Sequence, residues 1–365
     1  MLRPIARFDA SEFGSPLGGE VPDRSAGVER IGEELATGFA LDAAREALQH
    51  AGLVVDAPAT PTGLVVGTCL GEAEVAFRFL RACAPEAPGE MAPGVRLGGF
   101  TGPSTRLAET LRLEGPVLTL SSACASGTAA TGLAADCIRR GESDVMLACG
   151  VEILSRFVAS GFWLLRALAS GPVRPFDRRR DGLALGEGAG ALVLEEREHA
   201  LRRGAGVLAE VLGSGSSGDA HHMTGPSPTG EGMVRAIEGA LRDARTSPDA
   251  VGFISAHGTG TPYNDRMESI AIKRVFGERA FRIPVTSIKP IVGHTLGAAG
   301  ALEAILSIQV LREGIVPPTI NYGEPDPECD LDYVPNSARR HATSCALSCS
   351  SAFAGNNATL LLTAP

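Results

Sequence analysis

Two segments of this chain repeat one pattern, and the repeat limits the folds open to the chain more than any other feature. "LTLSSACASGTAATGLAADCI" (residues 118–138) and "VTSIKPIVGHTLGAAGALEAI" (residues 285–305) each read as an apolar strand, a turn of small residues and a helix rich in alanine and glycine. Helices of this composition can approach a neighbouring helix closely within a buried layer. The repeat therefore indicates two copies of one α/β unit.

Apolar strand-like runs alternate with helical segments along the rest of the chain. They are "GLVVGT", "VLTLSSA", "DVMLACG" and "GALVLEE" in the first part, and "GVLAEVLGSG", "VGFISAHG", "IPVTSIKP" and "CALSCSSAFAGNNATLLLT" in the second. Such alternation is typical of layered α/β architectures. We expect two halves, residues 1–200 and 201–365, with no low-complexity linker between them.

Composition and charge exclude several classes of protein. The 365 residues, 44% of them hydrophobic, are enough for one large or two fused globular domains. The sequence has neither a run of about eighteen apolar residues nor the start of a secretory signal, so we expect a cytoplasmic protein without a membrane partner. The net charge of -9 argues against a nucleic-acid partner, because phosphate binding needs a concentrated basic surface.

One of the eight cysteines stands apart from the others. Most lie inside apolar segments and read as reduced core residues; Cys345 and Cys349 lie close together but lack a second pair, so we expect no metal site. Cys124 falls at a strand-to-helix turn, where the free N–H groups and dipole of the helix favour a thiolate. This place suits a nucleophile; the alternative is a small buried filler, as Cys137 and Cys149 read.

Two histidines and one lysine are candidate partners of this thiol. His257 in "ISAHGTGTP" and His294 in "IKPIVGHTLGAAG" lie at strand ends beside glycines, which let a substrate approach the backbone. Of the 33 basic residues only Lys273 and Lys289 are lysine, and all the others are arginine. A lysine retained in such a chain is a candidate for a role that arginine cannot fill.

Six segments now carry a resemblance to a known family. They are "SSACASGT", "RPFDRRRDGLALGEGAGALVLEE", "DAHHMTGP", "AHGTGTPYND", "SIKPIVGHTLGAAGALE" and "AFAGNNATL". In this order they resemble the elongating, Cys-His-His β-ketoacyl-acyl carrier protein synthases of the thiolase superfamily, over nearly the whole chain. The resemblance implies the α/β thiolase fold, in which two duplicated halves form a layered αβαβα sandwich, and a decarboxylative Claisen condensation with malonyl-acyl carrier protein.

The resemblance also implies the roles of individual residues. Cys124 would attack the thioester of an acyl carrier protein and hold the acyl chain. The backbone N–H groups of Cys124 and Phe353 would form the oxyanion hole. His257 and His294 would hydrogen-bond the malonyl thioester carbonyl and stabilise the enolate that forms as carbon dioxide leaves.

Lys289 matches the active-site lysine of the family, and Glu303 matches its carboxylate partner. The alternative for Glu303 is an ordinary carboxylate on a helix surface. Asp265 and Glu268 look structural. No further cofactor is implied, because the substrates travel on the phosphopantetheine arm of the carrier protein.

Thr259 and Thr261 would bind that arm, and Phe353 would act as a gate over the acyl pocket. The gate sequence departs from the family pattern Gly-Phe-Gly-Gly-Thr-Asn, because Ala352 and Ala354 replace two glycines. Alanine restricts φ relative to glycine, so we expect a stiffer gate.

The resemblance implies two kinds of protein partner. Acyl carrier protein would dock on basic side chains, although consecutive arginines are more often a solvated loop. The candidate docking residues are Arg139, Arg140, Arg178, Arg179 and Arg180. The family also forms dimers that complete the acyl pocket, so we expect a second copy or a chain-length-factor-like subunit, with Phe162 and Trp163 of "GFWLL" as candidate contacts.

The front of the chain is the largest departure from the pattern. Family members begin with a strand of the type Val-Val-Val-Thr-Gly-Leu-Gly before the segment that resembles "RFDASEFGSPLGGEV", and this sequence starts almost at that segment. We expect the strand to lie inside the sheet, so its absence would leave unpaired backbone in a core layer. Either Met1 is not the true start or the N-terminal half is rearranged.

Three other functions remain open at this point. The chain could serve a polyketide or polyene pathway rather than fatty-acid synthesis, or it could be a non-catalytic scaffold subunit. A cysteine hydrolase would need a histidine that is oriented by an acidic residue and activates water. Two histidines with a lysine are better suited to stabilising a carbanion.

Overall fold

The computed structural model describes residues 2–14, 17–22, 35–55, 60–73 and 99–365. Met1 and Cys83 lie outside these residues. The described helices are α1 (Leu35–His50), α2 (Gly102–Leu111), α3 (Ser126–Arg139), α4 (Arg156–Leu164), α5 (Arg197–Arg202), α6 (Glu231–Asp243), α7 (Pro262–Phe276), α8 (Lys289–Val292) and α9 (Ala299–Glu313).

The described strands belong to four sheets. They are β1 (Arg3–Pro4), β2 (Leu17–Gly19), β3 (Thr62–Gly67), β4 (Val117–Leu120), β5 (Val145–Glu152), β6 (Leu185–Gly186), β7 (Gly188–Glu195), β8 (Glu210–Gly218), β9 (Phe253–Ser255), β10 (Val285–Thr286), β11 (Ile315–Val316), β12 (Arg339–Arg340), β13 (Cys345–Ser351) and β14 (Asn356–Thr363).

The first large sheet has the strand order β4-β3-β5-β7. Strand β3 runs parallel to β4 and β5, and β7 closes the described sheet antiparallel to β5. Strands β3 and β5 are buried along their whole length, which explains their continuous apolar sequences. Because parallel strands end at the same edge, the turn after β3 lies beside the turn after β4, where Cys124 is found.

The second large sheet repeats this order and adds one strand. Its order is β10-β9-β13-β14-β8, with parallel pairs around β9 and antiparallel pairs around β14. In this correspondence β7 matches β14. Strand β8 lies at an edge of the second sheet and has no counterpart among the described residues of the first half. The expectation of a gap inside the first sheet is therefore wrong, because an edge position interrupts no ladder between other strands.

Two helices rich in small residues form the central layer. Helix α3 packs on β3 and β5 of one sheet and on β8 and β14 of the other, and α9 likewise contacts both sheets. The helices meet so closely that a β-carbon on Gly127 would lie 2.7 Å from the backbone nitrogen of Ala301. The hydroxyls of Thr128 and Ser350 join the layers at 2.7 Å. The close packing predicted for these helices is confirmed.

Helices α1 and α2 cover the outer face of the first sheet, and α6 covers the outer face of the second. Helix α1 buries Ala36, Ala40, Ala44 and Leu48, which lie four residues apart and form one face. The layers therefore follow the predicted order αβαβα. The division of the chain at residue 200 stays a prediction.

The described residues before α1 contribute two strands to a small three-stranded sheet. Strand β2 pairs antiparallel with β1 and parallel with β6, and Arg7 forms an ion pair with Glu187 at 2.5 Å. These contacts attach the N-terminal segment to the loop before β7. Within the ranges that the structure describes, no helix is long and apolar enough to cross a membrane.

Candidate active site

Cys124 lies in a tight turn between β4 and α3, and only 5% of it is exposed. The preceding Ala123 has a φ of 48°, in the left-handed region that non-glycine residues avoid. The Ser126 hydroxyl holds the turn: it accepts the N–H of Ser122 at 2.9 Å and donates to the carbonyl of Ala123 at 2.5 Å. The predicted nucleophile is thus fixed next to the start of α3.

His257 follows β9 in a loop fixed by a buried carboxylate. Glu268 of α7 accepts the backbone N–H groups of His257 at 2.6 Å and Gly258 at 2.9 Å. Burial raises the pKa of Glu268 to about 7, although these hydrogen bonds oppose the shift. The expectation that Glu268 is structural agrees with this arrangement, because its oxygens hold the backbone beside His257.

His294 lies between α8 and α9, tied to the loop before β7. Its N–H donates to the carbonyl of Ala184 at 2.7 Å, and its carbonyl accepts the N–H of Gly186 at 3.0 Å. The ring centroids of His257 and His294 are 5.1 Å apart, and the ring planes are nearly perpendicular at 85°. The fold therefore brings together two histidines that are 37 positions apart in the sequence.

The His257 ring is held in its neutral form. Burial lowers its pKa well below the usual value, and the positive charge of Lys289 and the neighbouring His294 lower it further. Among the described residues, the Nδ1 atoms of both histidines are buried without a hydrogen-bond partner. A neutral ring can donate one hydrogen bond to a substrate oxygen.

Lys289 and Glu303 form a buried ion pair. Their side chains are each 2% exposed, and Lys289 Nζ lies 2.5 Å from Glu303 Oε1. Burial raises the pKa of Glu303, and the charge of Lys289 opposes that shift. The alternative that Glu303 is a helix-surface carboxylate is wrong, because α9 is enclosed between the two sheets.

Cys69 is a second thiol at the site, and the sequence analysis did not find it. It follows β3 and packs against the buried cluster that contains Cys124. The neighbouring Cys69 thiol lowers the pKa of Cys124 well below the usual value, and the charges of His294 and Lys289 act in the same direction against burial. The signal available in the sequence was the place of "GTCLGE" directly after an apolar strand.

Thr259 and Thr261 lie in the loop that leads into α7, and their hydroxyl oxygens are 2.9 Å apart. Asp265 fixes this loop by accepting the N–H of Gly260 at 3.1 Å. Thr259 is buried, whereas Thr261 is partly exposed. Their binding of a phosphopantetheine arm stays a prediction.

Phe353 lies in the turn between β13 and β14, where its ring stacks on Phe162 with the centroids 5.4 Å apart. The next residue, Ala354, has a φ of 63°, and its N–H donates to the carbonyl of Met223 at 2.7 Å. The turn therefore places alanine in a conformation that favours glycine. The predicted gate is thus built on a strained, hydrogen-bonded backbone.

We expect Ala354→Gly to speed the exchange of acyl chains onto and off the enzyme by a few-fold. Glycine adopts the left-handed conformation without the cost of about 1 kcal/mol that alanine incurs, and it gives the turn more freedom. Ala352→Gly is the matched control, because Ala352 has an extended φ of -143°. Equal exchange rates and equal loop mobility in wild type and Ala354→Gly would show that the alanine does not stiffen the gate.

The structure separates the candidate docking arginines. Arg180 is 9% exposed and pairs with Asp326, so its prediction as a docking residue is wrong: its charge is satisfied inside the chain. Arg139 binds Asp136, Asp243 and the carbonyls of Val211 and Leu212.

The remaining three arginines are exposed. Arg140 pairs with Glu142, and Arg179 pairs with Asp177 and Glu324. Within the described ranges the Arg178 side chain has no ion pair. Arg178 is therefore the docking candidate with the greatest freedom to bind a partner.

The site combines a buried cysteine thiol, two neighbouring imidazoles and a buried lysine–glutamate ion pair. A thiolate can form an acyl thioester, and paired imidazoles can stabilise negative charge on a carbonyl oxygen. No group of three or more histidine, cysteine or acidic residues in the described part of the chain is arranged to hold a metal ion.

Comparison with known families decides the identity of the fold. The family model described as "Beta-ketoacyl synthase, N-terminal domain" matches residues 34–200, and "Beta-ketoacyl synthase, C-terminal domain" matches residues 208–323. The chain belongs to the β-ketoacyl synthase family. The predicted resemblance is confirmed, and this β-ketoacyl synthase has the predicted thiolase fold.

Its relatives include a 3-oxoacyl-acyl carrier protein synthase and a subunit of a polyketide synthase. It is 38% identical to 3-oxoacyl-[acyl-carrier-protein] synthase 2 of Coxiella burnetii over 99% of this chain and 91% of the relative. It is 39% identical to the tetracenomycin polyketide synthase ketoacyl synthase alpha subunit of Streptomyces glaucescens over 100% of this chain and 90% of the relative. This β-ketoacyl synthase is therefore an acyltransferase that catalyses a condensation.

A solved structure supports the same family assignment. The protein titled "The ishigamide ketosynthase/chain length factor" is 40% identical, with a TM-score of 0.91 over 100% of this chain and 92% of that chain. A TM-score of this size over the whole chain places the described helices and strands in the same arrangement.

Proposed function

We propose that this β-ketoacyl synthase joins an acyl chain held on Cys124 to the two-carbon unit of malonyl-acyl carrier protein, with loss of carbon dioxide. The observation that carries the proposal is the close pair of buried histidines, His257 and His294, in the site of the predicted nucleophile Cys124. The two rings and the Lys289–Glu303 pair lie in one buried site, close to the C-terminal ends of β4 and β9.

The first half-reaction loads the enzyme. The Cys124 thiolate attacks the carbonyl carbon of an acyl carrier protein thioester, and the phosphopantetheine thiolate leaves and takes up a proton. The N–H groups of Cys124 and Phe353 would bind the oxyanion of the intermediate, where one well-placed donor is worth about 3 kcal/mol. Thr259 and Thr261 would hold the arm through their hydroxyls.

The second half-reaction forms the carbon–carbon bond. His257 and His294 would donate hydrogen bonds to the malonyl thioester carbonyl. When carbon dioxide leaves, the bonding electron pair stays on the thioester as an enolate, which these hydrogen bonds would stabilise. The enolate carbon attacks the acyl-Cys124 carbonyl, and the thiolate of Cys124 leaves. Lys289 would orient His294, and the side chains and backbone N–H groups of the chain would supply this chemistry without a further cofactor. We place the reaction in the cytoplasm, because Cys124 must stay reduced to act.

We expect intact mass spectrometry to show an acyl adduct after incubation with acyl-carrier proteins of graded chain length. Peptide mapping should place the adduct on Cys124, and malonyl-carrier protein should discharge it as a β-ketoacyl product. Cys124→Ala is the control and should remain unmodified. A folded sample that forms no adduct with any chain length would overturn the proposed role of Cys124 as the nucleophile. The preferred chain length would separate a fatty-acid role from a polyketide role.

We also propose that the enzyme acts as a dimer with a second copy or a chain-length-factor-like subunit. Strand β4 is an edge strand whose Val117 and Leu118 are 39% and 36% exposed, and Leu164 at the end of α4 is 72% exposed. Water contact with such apolar side chains is removed when a partner covers them.

We expect the purified chain to have twice its monomer mass of 37.7 kDa if the partner is a second copy. Leu118→Lys should shift the mass to that of the monomer, because a lysine on the edge strand opposes strand pairing. Tyr263→Lys is the control, since Tyr263 is 76% exposed on α7. A monomer already in wild type would leave only a different subunit as the partner.

A further inference from the structure

The backbone of His294 is paired with β6. Its N–H donates to the carbonyl of Ala184 at 2.7 Å, and its carbonyl accepts the N–H of Gly186 at 3.0 Å. These bonds form a parallel bridge between His294 and Leu185. The His294 Nδ1 atom has no hydrogen-bond partner among the described residues. The place of the ring therefore depends on what holds β6.

The N-terminal segment, residues 2–14 and 17–22, holds β6 from its other side. Its strand β2 pairs in parallel with β6, so that Gly19 lies opposite Gly186. A β-carbon on Gly19 would lie 1.8 Å from the carbonyl oxygen of Val292, and a β-carbon on Gly186 would lie 2.4 Å from the same atom. The N-terminal segment therefore contacts the chain two residues before His294.

A buried carboxylate joins this segment to β6. Glu187 directly follows β6, and its side chain is fully buried. Its Oε1 accepts Arg7 Nη2 at 2.5 Å and the N–H of Val21 at 3.1 Å, and its Oε2 accepts the N–H of Leu154 at 3.0 Å. One side chain thus connects the N-terminal segment, β6 and the residues after β5.

Arg7 supplies the positive charge that Glu187 faces. Burial raises the pKa of Glu187, and the hydrogen bond and charge of Arg7 oppose that shift. Arg7 therefore favours the carboxylate, the form that makes the strongest hydrogen bonds to its donors. Glu20 holds the backbone of Arg7 in turn, because it accepts the N–H groups of Ala6 at 3.0 Å and Arg7 at 2.7 Å.

We propose that Arg7 is a positioning residue: through Glu187 it holds β6 against the N-terminal segment, and β6 in turn sets where the His294 ring lies. The inference rests on the proposed role of His294 as a donor to the enolate oxygen. A small displacement of a catalytic group by a distant change can cost a large factor in rate. Arg7 would act through this chain of contacts, without touching the substrate.

The test compares Arg7→Met with wild type in two measurements. We expect the release of carbon dioxide from malonyl-carrier protein to slow about tenfold, while the acyl adduct on Cys124 still forms. We also expect the ring resonance of His294 to shift in the NMR spectrum of histidine-labelled protein. The chain has seven histidines, and the absence of a signal in His294→Ala assigns the resonance. Arg7→Lys keeps the positive charge and should restore most of both measurements.

Arg156→Met is the matched control. Arg156 forms an ion pair with Glu12 of the same N-terminal segment, but the two side chains are 61% and 47% exposed. The control therefore removes an ion pair of the segment and leaves the contacts of Glu187 in place. We expect the rate of decarboxylation and the His294 resonance to be those of wild type.

Three results would overturn the proposal. The His294 resonance could be unchanged in Arg7→Met, Arg156→Met could shift it as far, or Arg7→Lys could fail to restore it. A loss of loading equal to the loss of decarboxylation would likewise show that the segment supports the whole site.

If Arg7→Met does not fold, Glu20→Ala replaces it, because this change frees the backbone of Arg7 and leaves Glu187 with its charged partner. The resonance is measured without carrier protein, which separates the inference from the proposed function. A shifted resonance with unchanged decarboxylation would support the positioning by Arg7 and contradict the role of His294 as a donor.

Discussion

Replacing His257 or His294 with alanine is expected to leave the loading of Cys124 in place and to slow the decarboxylation of malonyl-carrier protein by about a hundred- to a thousandfold. The centroids of the two rings are 5.1 Å apart, and the rings are the proposed donors to the enolate oxygen. Loading depends on the sulfur of Cys124 and on backbone N–H groups, which neither variant removes. The acyl adduct measured by intact mass and the carbon dioxide released from malonyl-carrier protein report the two steps independently.

The pH dependence gives a second measurement of the same step. Burial lowers the pKa of His257 well below its usual value, so the ring stays neutral as the pH falls through 6.5. We therefore expect titration of His257 to cause no loss of decarboxylation rate between pH 8 and pH 6. His50→Ala, at the exposed end of α1, is the control for the substitutions of His257 and His294. A loss of loading equal to the loss of decarboxylation would show that the histidines act on Cys124 instead.

The sequence predicted those parts of the site that local patterns mark. Cys124, His257, His294 and Lys289 each follow an apolar strand or begin a small-residue turn, and such positions can be located from the sequence alone. The layered order of helices and strands was equally visible, because each strand and helix has its own hydrophobic period.

What the sequence could not predict depends on contacts between distant segments. Cys69 acquires its place beside Cys124 only through the pairing of β3 with β4. Arg180 is one of three consecutive arginines, a pattern typical of an exposed loop. In the structure it is buried and forms an ion pair with Asp326. Ala354 gives no sign of its left-handed φ, which arises from the turn that β13 and β14 impose. Strand β8 has no counterpart among the described residues of the first half. Only the comparison of the two sheets shows that its position is at an edge.

Replacing Lys289 with methionine is expected to lower the free energy of unfolding by about 3–5 kcal/mol, because Glu303 would remain buried without its partner. Both side chains are 2% exposed in the folded chain, and Lys289 Nζ lies 2.5 Å from Glu303 Oε1. Urea unfolding followed by circular dichroism measures the loss. The double variant Lys289→Met and Glu303→Leu should regain most of the stability, since an apolar pair can replace a buried ion pair.

The loss in Lys289→Met should also depend on pH in a defined direction. Burial already raises the pKa of Glu303 above its ordinary value of 4.5, and removing Lys289 takes away the charge that opposes this shift. Folding of the variant then takes up a proton, so its stability falls as the pH rises above 4.5. Activity separates structure from chemistry: if Lys289 orients His294, the double variant should fold and load Cys124 but decarboxylate malonyl-carrier protein slowly. Full decarboxylation by the double variant would show that the pair serves stability alone.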